Sequence, residues 1–342
     1  MLRNFSDALK CLLEFSFNFF QSRPLESRRF TKEPMLDKIQ GTHIFFQHTM
    51  QPLPAPPSPA TYASLIRAAL DEDGAARDVT TLSLVDPAAR ITADIIARHG
   101  CRVAGAMIAE QVFKTLDPAL AVEIRIPDGA DAAPDDIILT IAGAAGSILS
   151  AERVALNFFQ RMTGIATATK AYVAAAATVE GSRCKILDTR KTAPGFRVLD
   201  KYAVLCGGGA NHRMGLSDMA LIKDNHRKLW KTADAARLDL AVAAAREKFP
   251  GIPVEVEVET FDELASALSA SPPPEWIMLD NMPPPLMREA VALIAGRSKV
   301  EASGGINAST VCEVASTGVD AISIGALTHS VKAADLSLEI RD

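Results

Sequence analysis

The sequence lacks several features that would assign it to a class at once. Its five cysteines are scattered, with no C-x-x-C pair, and its six histidines show no metal-ligand spacing. This pattern favours reduced thiols in a cytosolic protein and gives no zinc site. The formal net charge of −5 leaves no basic surplus for binding nucleic acid. No run near the N-terminus is long and apolar enough to cross a bilayer, so we expect no membrane partner.

The first 60 residues differ in composition from the rest of the chain. Eight of the 14 phenylalanines lie before residue 50, whereas alanine dominates after residue 60. The segment is too rich in acids for a transit peptide and lacks a clean signal sequence. We expect residues 1–60 to be an extension and a proline-rich leader, with Met50 as the native start. An amphipathic appendage is the alternative interpretation.

Residues 61–164 mix helical and strand-like patterns. A helix is predicted over 61–73 and another near 106–116, and strands are predicted at 91–97, 122–126 and 136–143. These patterns predict an α+β domain of mixed connectivity. A long helix follows over about 147–177, and four polar residues form one stripe on its otherwise apolar surface: Arg153, Asn157, Gln160 and Arg161. The stripe is expected to face something polar.

Residues 165–329 show short apolar strands that alternate with helices. The strand runs are KILD, MALIKD, VEVEVE, WIMLDN, KVEASGG and AISIGA, with helices expected at 233–248, 261–270, 285–296 and 308–317. Six such strands in series predict a parallel sheet and an incomplete (β/α) barrel, so the fold class is α/β. The tail at 330–342 is expected to pack on the first domain.

The carboxyl ends of the barrel strands collect the chemically active residues. The first two ends carry cations, the next two carry carboxylates and the last two carry glycine-rich turns: Arg190 and Lys191, Lys223, Glu257, Asp280, Ser303 to Gly305, and Gly325. From 183 to 227 the chain has nine Lys and Arg against four Asp. A solvated basic surface is the alternative to a binding site. Cations beside glycine turns favour a phosphate, and the two carboxylates favour Mg²⁺ or sugar hydroxyls.

These residues also carry a family resemblance. The segment DTRKTAPGFRVLDKYAVLCGGGANHRMGLSDMALIKDNH at 188–226 resembles the core of the quinolinate phosphoribosyltransferase family. ERVALNFFQRMTGIAT at 152–167, VEVEVET, IMLDN, EASGGI and GVDAISIGALTHS match as well, and the similarity covers residue 61 to the C-terminus. The resemblance implies a type II phosphoribosyltransferase fold and transfer of phosphoribosyl from phosphoribosyl pyrophosphate to quinolinate, with decarboxylation to nicotinate mononucleotide. It also implies an α+β sandwich domain before an incomplete (β/α) barrel, and a homodimer in which the Arg153 helix completes the partner's site.

The resemblance assigns a role to each matched position. Quinolinate is expected to be held by Arg153, Thr189, Arg190, His212 and Arg213, with Lys191 nearby. Lys191 and Lys223 are expected to face the diphosphate, and Glu257 and Asp280 the ribose and Mg²⁺; these four form the expected catalytic set. The 5-phosphate is expected to lie against Ser303, Gly304, Gly305, Ile324, Gly325 and Ala326.

Three alternatives stay open at this point. A pyrophosphorylase-like protein associated with molybdate transport shares the fold and much of the motif. A barrel aldolase would use Lys223 as a Schiff-base nucleophile, but its setting among cations lacks the apolar pocket that lowers a lysine pKa. A non-enzymatic phosphosugar-binding protein would not need the full set of charged residues.

Overall fold

The structure is a computed structural model that describes residues 55–230 and 236–341. Expectations for residues 1–54, including the native start at Met50, therefore lie outside the described residues. The helices are α1 (Ala63–Asp73), α2 (Val79–Leu84), α3 (Ala106–Leu116), α4 (Ala145–Ala177), α5 (Arg197–Cys206), α6 (Asp224–Leu229), α7 (Leu238–Lys248), α8 (Phe261–Leu268), α9 (Pro284–Ile294), α10 (Val311–Ala315) and α11 (Ala326–His329). The strands are β1 (Arg90–Ala97), β2 (Cys101–Arg102), β3 (Ala121–Ile124), β4 (Asp131–Ala132), β5 (Ile137–Ala144), β6 (Lys185–Leu187), β7 (Ala220–Ile222), β8 (Val254–Val258), β9 (Trp276–Asp280), β10 (Lys299–Ser303), β11 (Ala321–Ser323) and β12 (Leu336–Ile340).

The first domain is built on an antiparallel sheet of four strands in the order β12-β1-β5-β3. The C-terminal strand β12 pairs with β1, where Ala93 lies opposite Ile340. The Arg341 guanidinium donates two hydrogen bonds, of 2.7 and 2.8 Å, to the Asp94 carboxylate. Helices α3 and α4 pack beside this sheet and bury a continuous apolar core. The last residues of the chain thus complete the first domain's sheet.

Helix α4 is continuous for 33 residues and crosses the expected domain boundary at 164/165. Its sequence contains no proline, and alanine recurs along it, so nothing in it stops a helix. Gly164 lies where a Cβ atom would come 2.3 Å from the Lys332 carbonyl oxygen. The glycine therefore allows the returning C-terminal segment to lie directly against the helix. One rigid helix connects the two domains where a flexible linker would otherwise be expected.

The second domain is a parallel sheet of six strands in the order β6-β11-β10-β9-β8-β7, with helices between the strands. β6 and β7 follow each other in sequence but lie at opposite edges of the sheet. The residues after α5 partly fill the gap, because Ala210 donates its N–H to Ile186 and accepts from Asp188. The expected incomplete (β/α) barrel is confirmed, and the segment 210–219 that covers its open side carries His212 and Arg213.

Several expected elements differ at their ends. α10 begins at Val311, three residues later than expected, and α8 ends at Leu268. The helix expected over 233–248 begins at Leu238 in the described residues. β6 and β7 have only three residues each, because the polar residues that follow them leave the sheet at the site. Element ends depend on local hydrogen bonding, which the apolar pattern does not contain.

Candidate active site

A cleft of about 750 Å³ opens at the carboxyl ends of the barrel strands. Active sites of barrel enzymes occupy this end because the strand–helix loops meet there. The cleft brings together every expected site residue except Arg153: Thr189, Arg190, Lys191, His212, Arg213, Lys223, Glu257, Asp280, Ser303, Gly304, Gly305, Ile324, Gly325 and Ala326. The cleft therefore gathers residues from six strand ends and from the segment that carries His212 and Arg213.

Three cations in the cleft have no carboxylate partner among the residues that the structure describes. The side chains of Arg190 and Lys191 make no ion pair there, and the buried Nε of Arg190 has no hydrogen bond. Arg213 uses Nη1 to donate to the Met219 carbonyl, at 2.8 Å. Burial and the neighbouring charge of Arg190 lower the pKa of Arg213. Arg190 and Arg213 are partly buried and Lys191 is exposed, and unpaired cations gathered in one cleft suit an anionic ligand.

The turn after β6 is shaped by its own side chains. The Thr189 hydroxyl accepts the Lys191 N–H at 3.0 Å, and the Lys191 carbonyl accepts the Thr328 hydroxyl at 2.9 Å. Pro194 and Gly195 then lead into α5. These contacts hold the two adjacent cations at the mouth of the cleft.

Two carboxylates lie on the opposite side of the cleft. Glu257, at the end of β8, pairs with the Lys223 ammonium, and Asp280 accepts from the Asn281 amide at 2.7 Å. Carboxylate oxygens of this kind are the usual protein ligands of Mg²⁺, which keeps most of its ligands as water and substrate phosphate. The donor set of Glu257 and Asp280 therefore fits a magnesium ion held together with a ligand.

Glycines form the turns at the last two strand ends, where other residues approach the backbone closely. Gly304 (φ +93°) and Gly305 (φ +62°) are both left-handed, and a Cβ on Gly304 would come 2.2 Å from Asn281 Oδ1. A short loop separates the Ser303–Gly305 turn from α10, which begins at Val311. Gly325 does lead directly into α11. Exposed backbone amides in such turns suit a phosphate.

His212 is held by the protein through both ring nitrogens. Its Nδ1 accepts the Arg213 N–H at 2.8 Å, and its Nε2 lies 3.1 Å from Glu255 and 3.4 Å from Glu301. Burial opposes the charged ring, but the hydrogen bonds that the ring donates to the two glutamates raise the pKa of His212 to about 9. Nε2 carries a proton directed between the two carboxylates, whereas the Arg213 N–H at Nδ1 opposes a second ring proton.

Sequence reasoning missed Glu255 and Glu301. The ligand atoms of His212, Glu255 and Glu301 lie within 4.8 Å of one another, a proximity that the spacing of the histidines along the sequence did not show. Residues 212, 255 and 301 are distant in sequence, and only the barrel brings them together. Strand periodicity was the available signal, because Glu255 and Glu257 share a face of β8.

A buried ion pair stabilises the backbone near His212 and Arg213. Asp188 and Lys201, 0% and 1% exposed, form an ion pair between the end of β6 and α5. Asp188 also accepts the His212 N–H at 2.9 Å, and Lys201 donates to the His212 carbonyl at 3.0 Å. Burial raises the pKa of Asp188 to about 6, although Lys201 opposes this shift. The pair fixes the backbone from which His212 and Arg213 reach the cleft.

Comparison with known proteins places the chain in a family. Residues 78–163 match the N-terminal domain of quinolinate phosphoribosyl transferase, and residues 165–339 match its C-terminal domain. The chain belongs to the quinolinate phosphoribosyltransferase family. Among its relatives, the chloroplastic nicotinate-nucleotide pyrophosphorylase [carboxylating] of Oryza sativa subsp. japonica is 40% identical, over 97% of this chain and 90% of its own. The corresponding enzyme of Mycobacterium leprae is 41% identical, over 80% of this chain and 95% of its own.

Solved structures agree with the family assignment. The nicotinate-nucleotide pyrophosphorylase from Francisella tularensis superposes with a TM-score of 0.78 and 37% identity, covering 83% of this chain and 98% of its own.

The similarity to the rice protein reaches into the first 60 residues, so the expectation that the resemblance begins at residue 61 is wrong for that relative. A Nicotiana glauca relative aligns over 83% of the chain.

The polar stripe on α4 of this family member divides into two parts. Arg161 binds Asp200 through two hydrogen bonds, of 2.7 and 2.9 Å, and Gln160 donates to the Leu336 carbonyl at 2.7 Å. These two residues thus face polar groups of the protein itself, in keeping with the expectation that the stripe faces something polar. Arg153 and Asn157 are exposed, and Arg153 lies outside the cleft of its own chain.

Proposed function

We propose that this protein transfers the 5-phosphoribosyl group of phosphoribosyl pyrophosphate to the ring nitrogen of quinolinate. The 2-carboxylate is then lost, and the products are nicotinate mononucleotide, CO₂ and diphosphate, as in the synthesis of NAD. The observation that supports this most directly is the set of unpaired cations, Arg190, Lys191 and Arg213, facing two carboxylates and two glycine turns across one cleft. Membership of the family supplies the chemistry for which that cleft is suited.

Quinolinate carries two adjacent carboxylates, and the cationic side of the cleft suits them. Arg190 and Arg213 present planar guanidinium groups that can bind a carboxylate through two hydrogen bonds. Thr189 adds a hydroxyl beside them. Both His212 nitrogens already have protein partners, so His212 contributes by holding the Arg213 backbone against the cleft. This arrangement orients the ring nitrogen toward the ribose.

The opposite side of the cleft suits the phosphoribosyl group. Positive charge develops on the ribose as its bond to diphosphate breaks, and the carboxylates of Glu257 and Asp280 would stabilise it. Lys191 and Lys223 would stabilise the departing diphosphate. A Mg²⁺ held by Glu257 and Asp280 would neutralise further charge on the diphosphate. The turns at Ser303–Gly305 and 324–326 would receive the 5-phosphate.

Decarboxylation follows from the chemistry of the substituted ring. Once the ring nitrogen carries ribose it is a cation next to C2, so the electrons of the breaking C2–carboxylate bond remain in a stabilised orbital. No proton has to be removed by a protein base to start this step. The cations that bound the carboxylate also hold the ring in place while CO₂ departs.

A homodimer with shared sites is part of the proposal. Arg153 is exposed, outside its own cleft and without an ion pair among the described residues, so it is free to complete a site in a second copy. Arg153→Ala and Lys191→Ala should each be inactive with an intact fold. Mixing the two should restore activity after subunit exchange, because one hybrid site has both residues. Inactivity despite proven exchange would contradict a shared site.

The activity itself is tested by incubation with quinolinate, phosphoribosyl pyrophosphate and Mg²⁺. Nicotinate mononucleotide and CO₂ are expected in equal amounts, and removal of Mg²⁺ by a chelator should abolish the reaction. A protein that binds phosphosugars without turnover would form neither product. A cytoplasmic location is supported by the free cysteines at 101, 184, 206 and 312. In the described part of the chain, no helix is both long and apolar enough to cross a membrane.

A further inference from the structure

Asn281 has an unusual backbone conformation for its place in the fold. It directly follows β9 and lines the cleft, and its φ of +53° lies in the left-handed region. Only two other non-glycine residues of the described chain share this region, Asp135 and Ala295. Glycine adopts this conformation at the least cost, and asparagine tolerates it better than most residues. Glycine would serve best if only a turn were needed, so the Asn281 side chain must have a use of its own.

The Asn281 side chain contacts two separate parts of the cleft. Its Nδ2 donates to Asp280 Oδ2 at 2.7 Å. Its Oδ1 lies against Gly304, so closely that a Cβ atom on the glycine would come within 2.2 Å of it. The backbone N–H of Asn281 donates to the Ser303 carbonyl at 2.9 Å and so joins the ends of β9 and β10. One residue therefore connects the carboxylate side of the cleft with a glycine turn that is proposed to receive the 5-phosphate.

Asp280 depends on this one contact for its orientation. In the part of the chain that the structure describes, its side chain has no other hydrogen bond and no ion pair, whereas Glu257 pairs with the Lys223 ammonium. The second carboxylate oxygen of Asp280 is therefore left for a ligand. The terminal torsion of an aspartate has broad preferences, so a carboxylate without a partner samples many orientations. The hydrogen bond from Asn281 selects one of them.

We propose that Asn281 is a positioning residue, which fixes the Asp280 carboxylate for phosphoribosyl pyrophosphate and its Mg²⁺. This rests on the proposed function. Residues that orient metal-binding side chains typically contribute roughly 10- to 100-fold to metal affinity or activity. The effect should be confined to the side of the cleft that receives phosphoribosyl pyrophosphate. Among the described residues, neither Arg190 nor Arg213 is hydrogen-bonded to this pair, so the binding of quinolinate should be spared.

Asn281→Gly tests the proposal, because it removes the amide and keeps the left-handed turn. The kcat should fall by roughly 10- to 100-fold. The affinity of Mn²⁺ for the enzyme saturated with phosphoribosyl pyrophosphate, measured by electron paramagnetic resonance, should fall at least about tenfold. Quinolinate affinity, by calorimetry, should stay within about threefold of the wild type. Ala295→Gly is the matched control, since Ala295 is an exposed left-handed residue at the end of α9, and it should change none of these values. Both variants should melt within about 3 °C of the wild type, because glycine suits the left-handed backbone.

A double-variant cycle decides whether Asn281 acts through Asp280. Asp280→Asn alone should lower kcat and Mn²⁺ affinity, and adding Asn281→Gly should lower them by less than about threefold more, because the carboxylate to be positioned is already gone. Losses that multiply in the double variant would show that Asn281 acts independently of Asp280, and would overturn the proposal. It would also be overturned if Asn281→Gly kept the wild-type kcat and Mn²⁺ affinity, or melted more than about 5 °C lower. Absence of nicotinate mononucleotide from the wild type would instead reject the proposed function, and the Mn²⁺ measurement, which needs no turnover, would still decide whether Asn281 positions Asp280.

Discussion

Replacing Lys201 by methionine should destabilise the protein and weaken quinolinate binding together. Lys201 and Asp188 are almost completely buried, and their pair joins the end of β6 to α5. Removing one partner of a buried ion pair typically costs about 3–5 kcal/mol, because the other charge stays buried without compensation. Asp188 would keep only its hydrogen bonds to neutral groups, such as the His212 N–H at 2.9 Å.

Equilibrium unfolding in urea, followed by circular dichroism, measures the loss of stability. Lys332→Met is the matched control, because Lys332 is exposed and its replacement should change the free energy of unfolding by less than about 0.5 kcal/mol. Adding Asp188→Asn to Lys201→Met removes the unpaired charge and should recover part of the loss. If Lys201→Met unfolds at the same urea concentration as Lys332→Met, the reasoning about this pair is wrong.

The same variant tests how the loop is supported. Lys201 donates to the His212 carbonyl at 3.0 Å, so its loss should loosen the backbone that presents Arg213. Quinolinate affinity should fall by about tenfold or more, since a hydrogen bond to a charged group contributes about 1.5–3 kcal/mol. Affinity for phosphoribosyl pyrophosphate, bound on the other side of the cleft, should change much less. An equal fall in both affinities would point to general loosening of the fold.

Three further outcomes are expected. Nicotinate should react with a kcat/KM at least about 30-fold below that of quinolinate, because an unmatched buried charge costs about 2–5 kcal/mol; equal values would contradict the pocket assignment. Gly304→Ala should raise KM for phosphoribosyl pyrophosphate at least tenfold, since its Cβ would meet Asn281, whereas Gly296→Ala, also left-handed but in open space, should not. Arg341→Gln should lose about 1 kcal/mol of stability at neutral pH. Hydrogen bonds from Arg341 lower the pKa of Asp94 from 3.8. The difference in unfolding free energy between the wild type and Arg341→Gln should therefore shrink as the pH falls below 3.8. A difference that stays constant with pH would contradict this role of Arg341.

Much of the fold could be predicted because its signals are local. Apolar strands alternating with helices predicted the incomplete barrel, and the rule that strand ends carry the chemistry predicted the cleft residues from Arg190 to Gly325. The length of α4 also followed from its uninterrupted pattern. The pairing of β12 with β1 joins residues some 240 positions apart, and no local pattern specifies such a partner. The start of α10 at Val311 likewise follows side-chain hydrogen bonds in the turn at Asn307–Thr310.

The polar interior of the barrel escaped prediction for a different reason. Reading only strand ends selected Glu257 and passed over Glu255, although alternation along VEVEVE turns both side chains to the same face of β8. Glu301 was passed over in the same way, two residues before Ser303. An acidic residue inside a strand otherwise buried costs stability unless it has a partner, so its presence in such a run is itself a signal. The partner here is His212, on the segment that covers the open side of the barrel. A closed barrel would leave no room for that imidazole. The open side of the barrel therefore allows the two buried carboxylates to have a partner.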